Sequence, residues 1–110
     1  MYMKNLLDET LECLKENNKD VFDIKWISVN NNILDWSEFE SVANTEYNSG
    51  YGYFGKLKVN NGLVIVGDDW WLERKEGEDA SQWWEFKTLP MKPESYIFKL
   101  NSEHIFEKCG

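Results

Sequence analysis

Asp68 and Asp69, followed by Glu85-Phe86-Lys87, stand in the order of a loose Asp…Glu-x-Lys pattern. In metal-dependent nucleases such carboxylates hold Mg²⁺ and the lysine stabilises charge at a phosphate. A nuclease also needs a surface that attracts a polyanion. This chain has 20 acidic residues against 12 basic ones, a net charge of −8, a single arginine (Arg74) and scattered lysines. Phosphate backbones are bound by clustered Lys and Arg, so direct binding to nucleic acid or to an anionic membrane is not expected. A metal-dependent nuclease using Asp68 or Asp69, Glu85 and Lys87 stands as a second alternative only.

Other chemistry-bearing residues are poorly placed for catalysis. His104, the sole histidine, has no Ser or Cys spaced to act with it, so a nucleophilic triad has no support. Gly50-Tyr51-Gly52 lacks the Gly-Lys-Ser/Thr ending of a phosphate loop and reads as a tight turn. The acidic run Glu76-Gly77-Glu78-Asp79-Ala80 lacks the spacing of a calcium loop. Cys13 and Cys109, without C-x-x-C spacing or a histidine cluster, make neither a zinc site nor a disulfide framework. The expectation is a chain that is not an enzyme and has no catalytic residue, metal or cofactor.

Two tryptophan doublets point to binding instead. Trp70-Trp71-Leu72-Glu73-Arg74 and Trp83-Trp84-Glu85-Phe86-Lys87 each carry a Glu close behind the pair and a basic residue at the end. Successive strand side chains point to opposite faces, so the two members of a doublet cannot share an environment. Trp70 travels with Leu72 and Trp84 with Phe86, which assigns those four to the core. Trp71 then shares a face with Glu73, and Trp83 with Glu85. If both sheet faces are covered, Trp71 and Trp83 are ordinary core, since large aromatics are highly buried on average. If one face is open, they form an aromatic, anionic surface of the kind that dominates binding hot spots.

Asp68, Asp69, Glu73, Glu76, Glu78, Asp79 and Glu85 put seven carboxylates into residues 68–85, opposed there by Arg74 and Lys75. Such a run is either a solvated surface or an anionic patch for a partner's basic groove. Complementary charge speeds encounter and narrows partner choice.

The elements that must position these residues follow from periodicity. Leu6, Leu7, Leu11 and Leu14 recur at helical steps, predicting an amphipathic helix over about 4–17 that Asn17-Asn18 can end. Phe22-Asp23-Ile24-Lys25-Trp26 alternates, predicting a strand that continues through Ile27 and Val29 to a turn at Asn30-Asn31-Asn32. Asp35-Trp36-Ser37-Glu38 has capping-box spacing ahead of a second short helix closed by Asn44. Residues 45–55, with Tyr47, Tyr51 and Tyr53 among three glycines, read as a loop. Asn60-Asn61-Gly62 predicts a hairpin between 57–59 and 63–66. Strands follow at both tryptophan doublets and, after Pro90 and Pro93, at Tyr96-Ile97-Phe98-Lys99-Leu100.

At 110 residues, 42% hydrophobic and 29% charged, with six Trp, five Tyr and six Phe, the chain has the size and composition of one domain spanning 1–110. No apolar run reaches the roughly 18 residues of a membrane span, and the N-terminus has no signal-peptide core. A reducing, cytoplasmic setting is expected.

The stretches Tyr47-Asn48-Ser49-Gly50-Tyr51-Gly52, Val64-Ile65-Val66-Gly67-Asp68-Asp69-Trp70-Trp71-Leu72-Glu73-Arg74 and Ser81-Gln82-Trp83-Trp84-Glu85-Phe86 resemble a family of small acidic proteins of Firmicutes phages and mobile elements. Those proteins carry a compact Tyr-Asp-Gly-Ser turn between the strands, where this chain has Glu76-Gly77-Glu78-Asp79-Ala80-Ser81. The resemblance supplies no activity. It implies a setting in which small acidic proteins block host defence, as anti-CRISPR proteins do.

Together these readings give an α+β fold, two short helices packed on a single antiparallel sheet of about five strands. Leu7, Leu11, Leu14, Trp26, Phe39, Val64, Val66, Leu72, Trp84 and Phe86 should form the core. The expected function is a non-enzymatic, protein-binding inhibitor, monomer or homodimer. It engages a partner with a basic surface through Trp71, Trp83, Asp68, Asp69, Glu73, Glu76, Glu78, Asp79 and Glu85, with Tyr51 beside them. An immunity protein or antitoxin that neutralises a toxin is the alternative.

Overall fold

The computed structural model describes residues 2–49, 58–79, 81–107 and 109. In chain order the elements are β1 (Tyr2–Asn5), α1 (Leu6–Glu16), a 3₁₀ turn (Val21–Asp23), β2 (Trp26–Val29), β3 (Asn32–Leu34), α2 (Trp36–Ala43), β4 (Glu46–Ser49), β5 (Val64–Val66), β6 (Trp70–Glu76), β7 (Gln82–Thr88) and α3 (Ser102–Ile105). The fold is α+β. A five-stranded antiparallel sheet runs in the order β3-β2-β5-β6-β7, and β1 and β4 form a separate antiparallel pair. Among the described residues no helix is long and apolar enough to cross a membrane.

Local chemistry fixes the helix ends. Asn5 caps α1 by accepting the Asp8 N–H at 3.1 Å. At the other end Asn18 takes φ 58°, and Lys19 N–H and Asn18 N–H return to the carbonyls of Leu14 and Lys15. That closure needs a left-handed residue, which Asn tolerates. The capping box of α2 forms as its spacing predicts: Asp35 accepts the Glu38 N–H at 2.8 Å, and Glu38 accepts the Asp35 N–H at 3.1 Å. Asn30 and Asn31, both at positive φ, make the two-residue β2–β3 turn.

Both long helices lie on one face of the sheet. Leu14, Phe39, Ala43 and Tyr47 pack there against Ile27, Ile65, Leu72, Trp70 and Trp84, with Ile65 and Leu72 fully buried. A side chain of that size, fully buried, contributes roughly 1.5–3 kcal/mol. Gly67 is what lets Trp70 in: a Cβ on Gly67 would meet the Trp70 indole at 2.1 Å.

Several expectations are corrected. The strand predicted from Phe22 begins only at Trp26, because 21–23 closes a 3₁₀ turn capped by Asp20. The alternation there therefore carried no strand parity. Ile27 faces the core, and Trp26, expected inside, is 43% exposed on the outer face. Val64 and Val66 are likewise outward and only half-buried, and Ile65 takes the core position. Leu11 is exposed rather than core. Asn32, expected in a turn, begins β3, and 46–49, expected in a loop, is β4.

The hairpin between 57–59 and 63–66 does not form among the described residues. Asn60-Asn61-Gly62 does turn the chain, but β5 pairs with β2 and β6. The main chain of Val59 is held by the buried amide of Gln82, which accepts its N–H at 3.0 Å and donates to its carbonyl at 2.8 Å. Finally, Tyr96–Leu100 is not a strand. After the Leu89 N–H donates to the Asp69 carbonyl, residues 90–100 run without regular structure, and every described residue from Thr88 to the C-terminus is exposed.

Candidate functional site

The outer face of the sheet is built by strand parity and antiparallel register. One cross-strand row reads Trp26, Val66, Trp71, Lys87; the next reads Ile33, Ser28, Val64, Glu73, Glu85; a third pairs Lys75 with Trp83. Trp71 and Trp83 thus stand where the doublets place them, Trp71 half-buried and Trp83 42% exposed, while Trp70 and Trp84 are core. Trp26 and the exposed Ile33 join the same face. Sequence reasoning missed both, although the correct parity of β2 would have turned Trp26 outward.

Charge on this face is more balanced than the sequence implies. Glu73 and Glu85 are directly opposite, and Lys87 bridges them at 2.8 and 3.5 Å. Lys75 also reaches Glu73 at 3.4 Å, and the Trp71 indole N–H donates to its other oxygen at 3.4 Å. The Lys87 hydrogen bond, chiefly, lowers the Glu73 carboxyl below the usual range, and the same bond raises Lys87. The remaining carboxylates lie at the two ends of the strands. Asp68 and Asp69 occupy the β5–β6 turn, with Asp68 3.6 Å from Lys25. At the other end Glu76 pairs with Lys58 at 3.0 Å, Glu78 is exposed, and Asp79 accepts from the Ser81 N–H and hydroxyl. The Ser81 bonds hold Asp79 below the ordinary carboxyl range.

Arg74, read from sequence as opposing this acidic run, is on the other face. Its side chain is fully buried, 3.2 Å from Glu9 and 3.1 Å from the Tyr47 hydroxyl, and stacked 4.8 Å from the Trp84 ring. The Tyr47 hydroxyl donates to Glu9 at 2.6 Å. Burial, then that bond to a carboxylate, pushes the Tyr47 phenol up to about 12. Burial and the neighbouring Glu16 and Glu9 also raise the Cys13 thiol.

The residues of the nuclease pattern are not gathered. Glu85 is four positions along β7 from Leu89, the residue bonded to Asp69, a separation of about 13 Å at strand rise. Among the described residues no group of three His, Cys, Asp or Glu could hold a metal ion. Tyr51 lies outside the described residues. Chemically, the face offers indole surfaces, a neutralised polar centre and carboxylates at both ends. Comparison with protein-family models, with curated proteins and with solved structures gives no match.

Proposed function

We propose that the chain is a non-enzymatic, protein-binding inhibitor of phage or mobile-element origin that docks on a host protein through the outer face of its sheet. The observation that carries this reading is the row Trp26, Val66, Trp71, Lys87, an aromatic strip on the sheet face turned away from α1 and α2. Indoles supply large contact area with little conformational entropy to lose, and they anchor hot spots. The carboxylates at Asp68 and Asp69, and at Glu76, Glu78 and Asp79, form the acidic rim. A basic partner, such as the nucleic-acid groove of a defence complex, is drawn by that rim and held by the indoles.

The test is capture from host lysate by the wild-type chain, by Trp26→Ala/Trp71→Ala/Trp83→Ala, and by Asp68→Lys/Asp69→Lys, after circular dichroism confirms that each variant folds. The reading expects one partner with a basic surface, lost with the triple variant and bound more slowly by the charge variant. Equal capture by all three overturns it. A partner that proves to be a toxin encoded beside this chain gives the immunity-protein alternative.

A further inference from the structure

Residues 89–107 have no counterpart in the packed body. Met91, Tyr96, Ile97, Phe98, Ile105 and Phe106 are all exposed, Phe98 completely. The radius of gyration, 18.5 Å, far exceeds the roughly 13 Å of a compact chain this long. A monomer rarely leaves so many large apolar side chains of one segment in water. The arm also differs electrically. Residues 1–88 hold nine basic and seventeen acidic residues, net −8, whereas 89–110 hold three of each, net zero.

The same molecule carries an edge strand, β7, whose Gln82 carbonyl accepts from the Lys4 ammonium at 3.5 Å. Among the described residues β7 has a strand neighbour on one side only, β6. The bonds Leu89 N–H to Asp69 and Gly77 N–H to Ser81 set the phase of that ladder. By alternation, Trp83, Glu85 and Lys87 bond to β6, while the main-chain groups of Trp84, Phe86 and Thr88 point away from it. Beside this edge is an acidic cleft of about 260 Å³ lined by Glu9, Glu12, Cys13, Glu16 and Trp84.

We propose that Tyr96-Ile97-Phe98-Lys99-Leu100 adds as a sixth strand to the β7 edge of a second copy of this chain, the exchange being reciprocal. The segment is rich in strand-forming residues and alternates, with Tyr96, Phe98 and Leu100 on one side and Ile97 and Lys99 on the other. Lys99 then meets Glu12 and Glu16 in the cleft, and Phe98 extends the aromatic face beside Trp83. Exchange is favoured over folding back because Pro90 and Pro93 hold 89–92 extended, and the chain leaves β7 without a bend before Glu94. A neutral arm is also the part of this chain that approaches an acidic copy without repulsion. Reciprocal exchange closes a twofold dimer. The proposal is independent of the partner reading above, since its readout is the mass of the purified chain.

Light scattering and sedimentation should give twice 13.1 kDa for the full chain. Phe98→Asp in the arm, and Thr88→Pro, which removes an outward N–H without touching the β6 ladder, should each raise the dimer dissociation constant by more than about tenfold. Circular dichroism should keep the body's spectrum in both. Glu12→Lys/Glu16→Lys should weaken the dimer, and Lys99→Glu added to it should restore it. A monomeric wild type overturns the proposal. Protected amides at 97–99 in that monomer mean an arm folded back on its own β7, and unprotected ones mean an arm kept for a different partner. A dimer indifferent to Phe98→Asp and Thr88→Pro also overturns it.

Discussion

Glu73 and Glu85 face each other directly across the β6–β7 ladder, and the Lys87 ammonium lies between their carboxylates, 2.8 Å from one and 3.5 Å from the other. Like charges opposed in a sheet are destabilising, so Lys87 is what makes the pair tolerable. With Glu73 lowered by this contact, its contribution to stability is complete above the unfolded carboxyl value and fades as pH falls through the lowered folded one. Lys87→Met should return the Glu73 titration, followed by NMR, toward the ordinary carboxyl range. It should also shrink the difference between urea midpoints at neutral and acid pH.

The doublet in β7 separates packing from surface. Trp84 is 8% exposed, stacks on Arg74 and donates its indole N–H to Thr10 at 2.9 Å. Trp84→Ala should cost about 3–5 kcal/mol of unfolding free energy. Trp83→Ala, next to it, should cost less than about 1 kcal/mol, the range of surface changes. Urea denaturation of both variants checks the contrast, and equal losses would mean that the outer face is covered.

Tyr47 should titrate late. Its phenol is pushed up to about 12, so the stability it contributes is intact below the ordinary phenol value and is lost between about 10 and 12 as pH rises. Absorbance titration at 295 nm should show a late-ionising phenol that is absent in Tyr47→Phe. Glu9→Gln leaves the fully buried Arg74 without its carboxylate. Removing one member of a buried pair costs about 3–5 kcal/mol, and the 18% exposure of the Glu9 side chain puts this case at the lower end.

Gln82 takes the part of a missing strand. It is 1% exposed, and its amide satisfies both main-chain groups of Val59. Gln82→Ala strands a buried donor and acceptor at about 1–3 kcal/mol each. Gln82→Glu should be worse, since a carboxylate faces the Val59 carbonyl with no donor to offer. Thermal melts of the two variants test the order.

How far the sequence speaks depends on how local each decision is. Asp35 and Glu38 fix the start of α2 through bonds three residues apart, and that start is legible. The facing of Trp70, Leu72 and Trp84 is legible too, because those strands alternate clearly. Val64-Ile65-Val66 is apolar throughout, so its parity is silent, and only pairing with β2, Ile27 opposite Ile65 and 38 positions away, makes Ile65 the core residue. Trp26 was misplaced for a similar reason, a 3₁₀ turn that imitates alternation. Of the candidate site, the Trp71 and Trp83 pair was readable, whereas the bridging by Lys87 and the burial of Arg74 depend on which strands become neighbours.

The doublets themselves do not tell β6 or β7 which way to face. Slide either strand by one residue and a tryptophan still points each way, so indole burial alone barely distinguishes the two arrangements. What distinguishes them in β6 is the four residues behind the doublet, Leu72-Glu73-Arg74-Lys75. The slip would turn Leu72 and Arg74 to water, strip Glu9 and Tyr47 of their cation, and drive Glu73 and Lys75 into an apolar layer. The in-and-out sense of β6 is therefore encoded by the alternation of Leu72 and Arg74 with Glu73 and Lys75. The tryptophan at each outer position, relieved of that duty, can be exchanged without inverting the sheet.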